Sequence, residues 1–358
     1  MNELDNKLLD YFNNNNSLTF VNRFWSLNYT QKDVKDINKF SEFLLLKNKG
    51  ISLNKISNKI GVSSSTLSKW SLNKGRPLII RYLESSIVLE TSEDKWLSIN
   101  STRGGSFIGP WIKVPIKVKN YKDILNVIDQ LQPLKYINYS RFNLDYKKDL
   151  KPLFFAYILG MMIGDTSKTG IKRDRRITMR IQLRLTTRYE SNENVGEFLK
   201  LCLNSLSIRM NRGKDCPAGK MNTHPFYAWH SQCSCLIEWM FNVCLGLNNE
   251  EKTTYDSVKI DWILNTPKEF MIWFLQGLAD SDGFVDITTN RAGIITGPNT
   301  KVIQKIFDNF GIKSFSSKLH HGTLDYVSIN LYNANKLPLF IPYVKLYRYN
   351  LMKKIINA

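Results

Sequence analysis

Two apolar runs in the chain end in the same way, with a small residue followed by an aspartate. ILGMMIGDT occupies residues 158–166 and LQGLADSDG occupies residues 275–283, and the two align without a gap. Glycine stands at the third position of each run and a small residue at the seventh: Gly160 and Gly164, then Gly277 and Ser281. Residues four apart lie on one face of a helix, so both runs predict apolar helices with a narrow face of small side chains.

The pattern that follows each run also repeats, which predicts two halves built alike. VGEFLKLCLNSLSIRMNRGK resembles VIQKIFDNFGIKSFSSK, and further along FYAWHSQC resembles DYVSINLY. In both halves the order is an apolar helix with a terminal aspartate, strands, a helix, a strand pair and a helix. Two similar segments of this size in one chain indicate a pseudo-twofold pair.

A period of two marks the segment RRITMRIQLRLTTR as a strand. Its apolar positions alternate with polar ones that include no acid: Arg176, Thr178, Arg180, Gln182, Arg184 and Thr186. Arginine can pair with guanine and glutamine with adenine in the major groove of DNA, which admits a β-ribbon. A solvated edge strand is the alternative, although such a strand normally mixes both signs of charge. We therefore expect this strand to face DNA.

The corresponding strands of the second half alternate less regularly. FVDITT and SFSSKLHHGTLDYVSINLY place polar side chains on candidate DNA faces: Lys318, His320, Tyr326, Ser328 and Asn330. Among these, Lys318 and His320 are the residues expected to contact DNA.

Near the N-terminus, apolar positions follow helical spacing on both sides of a short break. These positions are Leu53, Ile56 and Ile60 before the break, and Leu67 and Trp70 after it. Gly61 can end the first helix, and Ser63 or Ser64 can cap the second. This arrangement, at about residues 51–75, is typical of a DNA-binding helix-turn-helix, and an ordinary helical hairpin is the alternative. The outward face of the second helix would carry serine and lysine: Ser64, Ser65, Ser68, Lys69 and Lys74.

The charge balance favours a polyanionic partner. Lysine and arginine number 50 against 31 aspartates and glutamates, a formal net charge of +19. With the motifs above, this excess predicts that the chain binds double-stranded DNA. A membrane surface is a weaker alternative, because no strongly basic amphipathic helix with aromatic residues on its apolar face is evident. A composition rich in lysine and asparagine can also reflect an A·T-rich genome.

Cysteine usage and the lack of targeting signals predict a cytoplasmic protein, associated with the nucleoid in a prokaryote. The five cysteines are odd in number and form no C-x-x-C pair, so a disulfide framework is not expected. No apolar run approaches the roughly 20 residues that span a bilayer. The opening MNELDNKLLDYF lacks the layout of a signal peptide.

The aspartates at the eighth positions of the two runs, Asp165 and Asp282, are the candidate chemical site. If the small-residue faces pack together, these carboxylates meet at the negative ends of two helices. That meeting is costly alone and favourable around a hard divalent cation with oxygen ligands. The alternative is that both aspartates only end structural helices.

With these residues in place, the two runs resemble the signature helices of the LAGLIDADG homing endonucleases, and LQGLADSDG is close to the consensus letter for letter. The resemblance covers roughly Lys151 to Ala358. It implies an α+β fold of two αββαββα halves with saddle-shaped sheets over the major groove, here following a small all-α helix-turn-helix domain. It further implies a monomer that acts as a pseudo-dimer and cuts both strands of DNA at a long, specific site.

The family also implies roles for individual residues. One acid from each signature helix binds metal ions, so Asp165 and Asp282 would hold Mg²⁺ or Mn²⁺, which activates water and stabilises the leaving oxygen. Basic residues late in each half would assist catalysis: Lys252 in the first half, and Lys345 or Arg348 in the second.

Several residues depart from the family pattern. Thr166 replaces the glycine after the first acid, and Met161 and Met162 are bulky. Asp280 matches the sixth-position acid of the consensus but its counterpart Ile163 is apolar, so a local role in capping or an ion pair is expected. Thr166, the Met161–Met162 pair and the N-terminal helix-turn-helix favour, as an alternative to a nuclease, a non-cleaving DNA-binding transcription regulator on the same scaffold. The resemblance also implies a third option, an intron RNA maturase, because some members of the family acquired that activity.

Four segments follow from these patterns. They are an N-terminal helical region at 1–88, a linker or small α/β extension at 89–150, a first half at 151–262 and a second half at 263–358.

Overall fold

The computed structural model describes most of the chain, in two compact units. The described residues are 5–6, 8–10, 31–77, 80, 88–90, 95–100, 111–115, 117–134, 137–145, 148–164, 166–173, 176–189, 191–218, 224–232, 234–247, 256–318, 325–330, 333, 337–341 and 344–356. One unit comprises Met1–Asn100 with Lys113–Ile116 and Ile171–Ile177, and the other comprises Ser101–Ile112, Lys117–Gly170 and Thr178–Ala358.

Among the described residues, three helices with defined bounds and a small sheet lie largely in the N-terminal unit. The helices are α1 (Gln31–Asn48), α2 (Leu53–Ile60) and α3 (Ser64–Ser71). The strands are β1 (Val88–Glu90), β2 (Lys95–Asn100) and β3 (Trp111–Pro115), in the order β1-β2-β3.

The turn between α2 and α3 has the chemistry that its residues predict. Gly61 adopts a left-handed conformation with φ of 65°, and its N–H donates to the carbonyl of Ser57. The side chain of Ser63 accepts a hydrogen bond from the N–H of Thr66 and so caps α3. Both elements and the turn that joins them therefore lie where the sequence places them.

Aromatic packing holds these helices together. The ring of Trp70 on α3 lies 5.4 Å from Phe40 and 5.6 Å from Phe43 on α1, measured between centroids. Arg76 donates to the carbonyl of Trp70 and to the carboxylate of Asp5, at 2.7 Å, in a buried ion pair. Arg76 thereby satisfies a carbonyl at the C-terminal end of α3, where a cation is favourable.

The larger unit runs twice through one order of elements. After α4 (Tyr121–Ile128), the first half has α5 (Lys151–Ile163), β4 (Thr166–Arg173), β5 (Arg176–Thr186), α6 (Ser191–Ser205), β6 (Met210–Arg212), β7 (Phe226–Ser231) and α7 (Cys235–Trp239). The second half has α8 (Lys268–Asp282), β8 (Gly283–Asp286), β9 (Arg291–Ile295), α9 (Thr300–Asn309), β10 (Ser314–Lys318), β11 (Asp325–Asn330) and α10 (Leu346–Ile356). Both halves follow the order helix, two strands, helix, two strands, helix.

Each half contains one four-stranded sheet of antiparallel neighbours. The strand orders are β4-β5-β7-β6 and β8-β9-β11-β10, so the connections are equivalent in the two halves. The described architecture is α+β, as the sequence predicts. That a twofold axis relates the halves stays a prediction.

The two signature helices, α5 and α8, pack with their backbones in direct contact. A methyl group at Gly160 would overlap the carbonyl oxygen of Phe274 and lie 2.6 Å from the backbone nitrogen of Leu278. A methyl group at Gly277 would overlap the carbonyl oxygen of Tyr157. The contact between small-residue faces that the sequence predicts is therefore confirmed. Helix α5 is buried over nearly its whole length, which explains why it is apolar on every side.

We expect Gly160→Ala to destabilise the protein by about 1–3 kcal/mol, because its methyl group forces the backbones of α5 and α8 apart. Alanine favours an isolated helix by about 1 kcal/mol over glycine, so the loss can come only from the contact. Urea denaturation followed by circular dichroism measures the change.

Gly213→Ala is the matched control, because the nearest atoms to its methyl group lie 3.6 Å away. If the Gly160→Ala and Gly213→Ala proteins were equally stable, the close contact between the backbones of α5 and α8 would be contradicted.

Candidate metal and nucleic-acid site

The C-terminal ends of α5 and α8 lie side by side. A methyl group at Gly164, the residue after α5, would overlap the hydroxyl of Ser281 and lie 2.8 Å from Oδ2 of Asp282. Asp282 is the last residue of α8 and is half-buried. The small seventh-position residues thus allow the carboxylate of one helix to reach the end of the other. Asp165 lies outside the described residues.

Asp280, two residues before Asp282, is fully buried. The hydroxyl of Tyr157 on α5 donates to its Oδ2 at 2.9 Å, which links the two signature helices by a side-chain bond. Burial raises the pKa of Asp280 to about 7, although the charge of Lys345, the bond from Tyr157 and the charge of Arg348 act in the opposite direction. The sequence analysis expects capping or an ion pair of Asp280, whereas the bond that the structure gives it comes from Tyr157 on the other helix.

Two basic side chains from the C-terminal region compensate the negative end of α8. Nη1 of Arg348 donates to the carbonyl oxygen of Ala279 at 3.1 Å, in the last turn of the helix. The attraction between the Lys345 ammonium and Asp280 opposes the rise in the pKa of that carboxyl. An acid-rich helix end without cations in its own sequence is thus stabilised by cations that are distant in the chain.

Lys345 is only 5% exposed, and its contacts favour a structural role. Its Nζ donates to Oδ1 of Asn192 at 2.9 Å, and the Nδ2 of Asn192 donates to the carbonyl of Thr186 at the end of β5. A catalytic role for Lys345 stays a prediction, but the side chain is buried and donates to Asn192. Lys252, its counterpart in the first half, lies outside the described residues.

The residues that depart from the signature pattern are accommodated by packing. Thr166 is buried, and its hydroxyl donates at 3.0 Å to the carbonyl oxygen of Met161, which lies in the last turn of α5. Met161 and Met162 are both fully buried. Thr166 therefore satisfies a helix carbonyl at the position where the second run has Gly283, and the two methionines fill the core around α5.

The outer face of the first sheet is polar, as the period of two predicts. On β5 the side chains of Ile181, Leu183 and Leu185 are buried, whereas Arg184 is exposed and Arg180, Gln182 and Thr186 are half-buried. Gln182 pairs across the sheet with His230, and the guanidinium of Arg184 lies 5.4 Å from the ring centroid of Phe226. Arg176 and Thr178 are strand positions whose side chains lie outside the description.

In the second sheet, the strand register assigns the candidate polar residues to two different faces. Lys318 is exposed and pairs with Asp325, which places it on the same face of the sheet as the buried residues Val327 and Ile329. Tyr326, Ser328 and Asn330 alternate with those residues along β11, so they share the opposite face of the sheet. Lys318 therefore does not lie on one surface with those three residues. His320 lies outside the described residues.

Helix α3 exposes the predicted polar face. Ser65, Ser68, Lys69 and Lys74 are exposed and Ser64 is half-buried, while Leu67 and Trp70 are buried. No acid belongs to this helix.

Sequence reasoning missed Tyr157 and Asn192 in the network around Asp280. Tyr157 stands three residues before Gly160, so helical spacing places it on the small-residue face and could have indicated the contact. Asn192 carried no such signal, because its partner Lys345 is distant in sequence.

The described part of the chain contains neither a cluster of metal-binding side chains nor a membrane-spanning helix. No group of three or more histidine, cysteine, aspartate or glutamate side chains within it could hold a metal ion. Within the same residues, no helix has the length and apolar character needed to cross a membrane.

No protein-family model matches the chain, and no curated protein matches it. Solved structures similar to it include mesophilic variants of the homing endonuclease I-DmoI, at 16% identity over 53% of this chain and 97% of that chain, with a TM-score of 0.39. The homing endonuclease I-WcaI bound to its DNA recognition sequence is 11% identical over 60% of this chain and 98% of that chain, with a TM-score of 0.40. Full-length DUF199/WhiA from Thermatoga maritima is 12% identical over 61% of this chain and 63% of that chain, with a TM-score of 0.38. Similarity at this level establishes neither a shared fold nor a shared activity.

We expect Lys345→Met to destabilise the protein more at about pH 8.5 than at about pH 6. Loss of this cation raises the pKa of Asp280 further above about 7, so the substitution costs stability only where the acid of the wild-type protein is charged. Adding Asp280→Asn should restore part of the loss, since the amide keeps a bond to Tyr157 and carries no charge. Urea denaturation of the two single variants and the double variant at both pH values measures this coupling.

Lys301→Met on the exposed face of α9 is the control, with an expected change within about 0.5 kcal/mol. Additive effects of the two substitutions would show that Lys345 does not compensate Asp280.

Proposed function

We propose that this chain is a metal-dependent endonuclease that cuts both strands of DNA at a long, specific site, in the manner of the LAGLIDADG homing endonucleases. The observation that carries the proposal is the contact between Gly164 and the carboxylate of Asp282. Asp165 follows Gly164 directly in the chain, so this contact supports a shared site for the two signature acids.

The donor chemistry of this site fits a hard divalent cation. Carboxylate oxygens at the C-terminal ends of two helices repel each other, and Mg²⁺ or Mn²⁺ would neutralise both. Asp165 and Asp282 would hold the cations, which when bound supply an activated water and stabilise the leaving oxygen. Lys345 and Arg348 act on the buried acid Asp280 and on the end of α8, where Arg348 donates to the carbonyl oxygen of Ala279.

The outer face of the first sheet is proposed to read the target. Arg180, Gln182 and Arg184 alternate with buried residues and project from the face opposite the core. Arginine and glutamine can each form two hydrogen bonds to a base edge in the major groove. The exposed serines and lysines of α3 would extend the site as a helix-turn-helix reads it, with phosphate contacts from Lys69 and Lys74. A monomer with one signature acid in each half would cut the two strands.

A non-cleaving regulator is the second candidate, and the overall charge and polar surfaces suit it equally. Thr166 and the Met161–Met162 pair were among the sequence features that favoured it. Since packing accounts for all three residues, they do not indicate loss of activity. Retention of Asp282 at the meeting point of the helices favours the nuclease.

We expect Asp282→Asn to lower cleavage of a plasmid library in Mg²⁺ by about 100-fold or more, because it removes a metal ligand and its charge. Asp165→Asn should have the same effect, and both variants should still bind the site that the wild-type protein cuts. Asp308→Asn, an exposed acid on α9, is the matched control and should cut normally.

Cleavage by Asp282→Asn at the wild-type rate would refute the nuclease assignment. Tight binding of one site by the wild-type protein without cleavage in Mg²⁺ or Mn²⁺ would select the regulator instead.

We expect Gln182→Ala to relax the preference for one base of the target, with a loss of about 1–3 kcal/mol against the preferred sequence. A lysine that contacts phosphate would instead change the salt dependence and leave the base preference intact. Selection of bound sequences from a random library, followed by titration in several salt concentrations, separates the two effects. Lys301→Ala on α9 serves as the control, and an unchanged sequence preference for Gln182→Ala would contradict readout by β5.

A further inference from the structure

The connection between β5 and α6 is fixed by hydrogen bonds of its own. The N–H of Arg188 donates to the hydroxyl oxygen of Thr186, the last residue of β5, at 3.2 Å. The N–H of Asn192 donates to the carbonyl oxygen of Tyr189 at 3.0 Å, and its Nδ2 donates to the carbonyl oxygen of Thr186 at 2.8 Å. These bonds hold Tyr189 and Asn192 in a set position relative to the end of β5.

The start of α10, in the second half, contacts this connection at two points. Lys345 lies directly before α10, and its Nζ donates to Oδ1 of Asn192 at 2.9 Å, with both side chains buried. The ring of Tyr347 stacks on the ring of Tyr189, with centroids 5.6 Å apart and planes at 24°. A buried polar contact and an exposed aromatic contact therefore join the two halves at this place.

The same turn of α10 is bonded to the end of α8. Nη1 of Arg348 donates at 3.1 Å to the carbonyl oxygen of Ala279, which stands three residues before Asp282. Because Tyr347 and Arg348 are neighbours in the chain, one turn of helix contacts both the connection after β5 and the last turn of α8. We call Tyr189, Asn192, Lys345, Tyr347 and Arg348 the bridge.

The bridge joins two parts of the molecule that have different tasks in the proposed function. The outer face of β5 carries Gln182 and Arg184, which are proposed to read the target, and α8 ends at Asp282, which is proposed to bind metal. A nuclease has to hold its metal ligand at a fixed place relative to the side chains that set its register on the target. A displacement of about 1 Å at the reacting atoms can cost on the order of 100-fold in rate.

The stacked tyrosines are the part of the bridge that can be removed without opening the core. Tyr189 is 41% exposed and Tyr347 is 54% exposed. Substitutions at exposed positions usually change stability little, whereas Asn192 and Lys345 are buried and their replacement would disturb the fold. The stack therefore allows positioning to be tested separately from folding.

We propose that the bridge positions Asp282 relative to the base-reading face of β5. Tyr189 and Tyr347 are positioning residues, which act through the first turn of α10 and the bond from Arg348 to the end of α8. The proposal rests on the proposed function, in which β5 reads DNA and Asp282 binds the cation. It adds that the two halves are held together at this place so that reading and cutting stay in register.

The first test measures cleavage of a bound duplex that carries the sequence selected from the random library. Tyr347→Ala should lower the single-turnover rate in Mg²⁺ about tenfold, with the Kd for the duplex, measured without divalent cations, unchanged. Tyr347→Phe should restore the rate, because it keeps the stacked ring. Tyr189→Ala should act as Tyr347→Ala does, and the double variant should lose no more than either single variant.

The second test follows amide hydrogen exchange over residues 275–283 in the complex with the same duplex, without divalent cations. Tyr347→Ala should exchange faster than the wild-type protein over these residues, because Arg348 is held less firmly against the last turn of α8. Exchange over α9 should not change. Asn350→Ala is the matched control, an exposed position further along α10 that should match the wild-type protein in both tests. Urea denaturation verifies that each variant is folded.

Wild-type rates of cleavage and exchange in Tyr347→Ala would overturn the proposal. Weaker binding of the duplex with a normal rate of cleavage in the bound complex would also overturn it, because the tyrosines would then contact DNA directly. Additive losses from the two tyrosine substitutions would show two separate roles and no shared bridge. A wild-type protein that binds its site and never cuts would refute the nuclease proposal alone, since the exchange measurement still decides whether the bridge holds the end of α8.

Discussion

The close contact between α5 and α8 is the constraint on which the rest of the larger unit depends. Gly160 and Gly277 each face a backbone carbonyl of the other helix, which no larger residue could do. The contact fixes the ends of the two helices beside each other, at Gly164 and Asp282. A pair of helices held further apart by side chains would separate the signature acids and leave no common site for a cation.

That geometry creates an electrostatic cost, which the C-terminal region offsets. Two helix C-termini and the acids Asp280 and Asp282 concentrate negative charge in a buried place. Tyr157 donates to Asp280, Arg348 donates to the carbonyl of Ala279, and Lys345 opposes the charge of Asp280. The side chains of Lys345 and Arg348 thus lie with the buried acid Asp280 and the helix end, whereas the half-buried Asp282 is proposed to bind metal.

Local patterns in the sequence predicted the elements well, because each reflects short-range physics. The period of two in β5 matches its alternating burial, the conformation of Gly61 matches the turn after α2, and the small-residue faces of α5 and α8 meet. The network around Asp280 was not predictable, because Asn192 and Lys345 are brought together only by the tertiary fold. Which polar positions of the second sheet share a face was also not predictable, because a shift of one residue in strand register exchanges the two faces of a sheet.

Asp165 and Asp282, one acid from each half, are proposed to form a single shared metal site. Titration of Mn²⁺ into the protein bound to duplex DNA, followed by electron paramagnetic resonance, counts the ions held there without relying on cleavage. We expect Asp165→Asn and Asp282→Asn each to remove the same bound Mn²⁺, with no further loss in the double variant. Separate and additive losses, or Mn²⁺ binding that neither substitution changes, would contradict a site shared between the two helices.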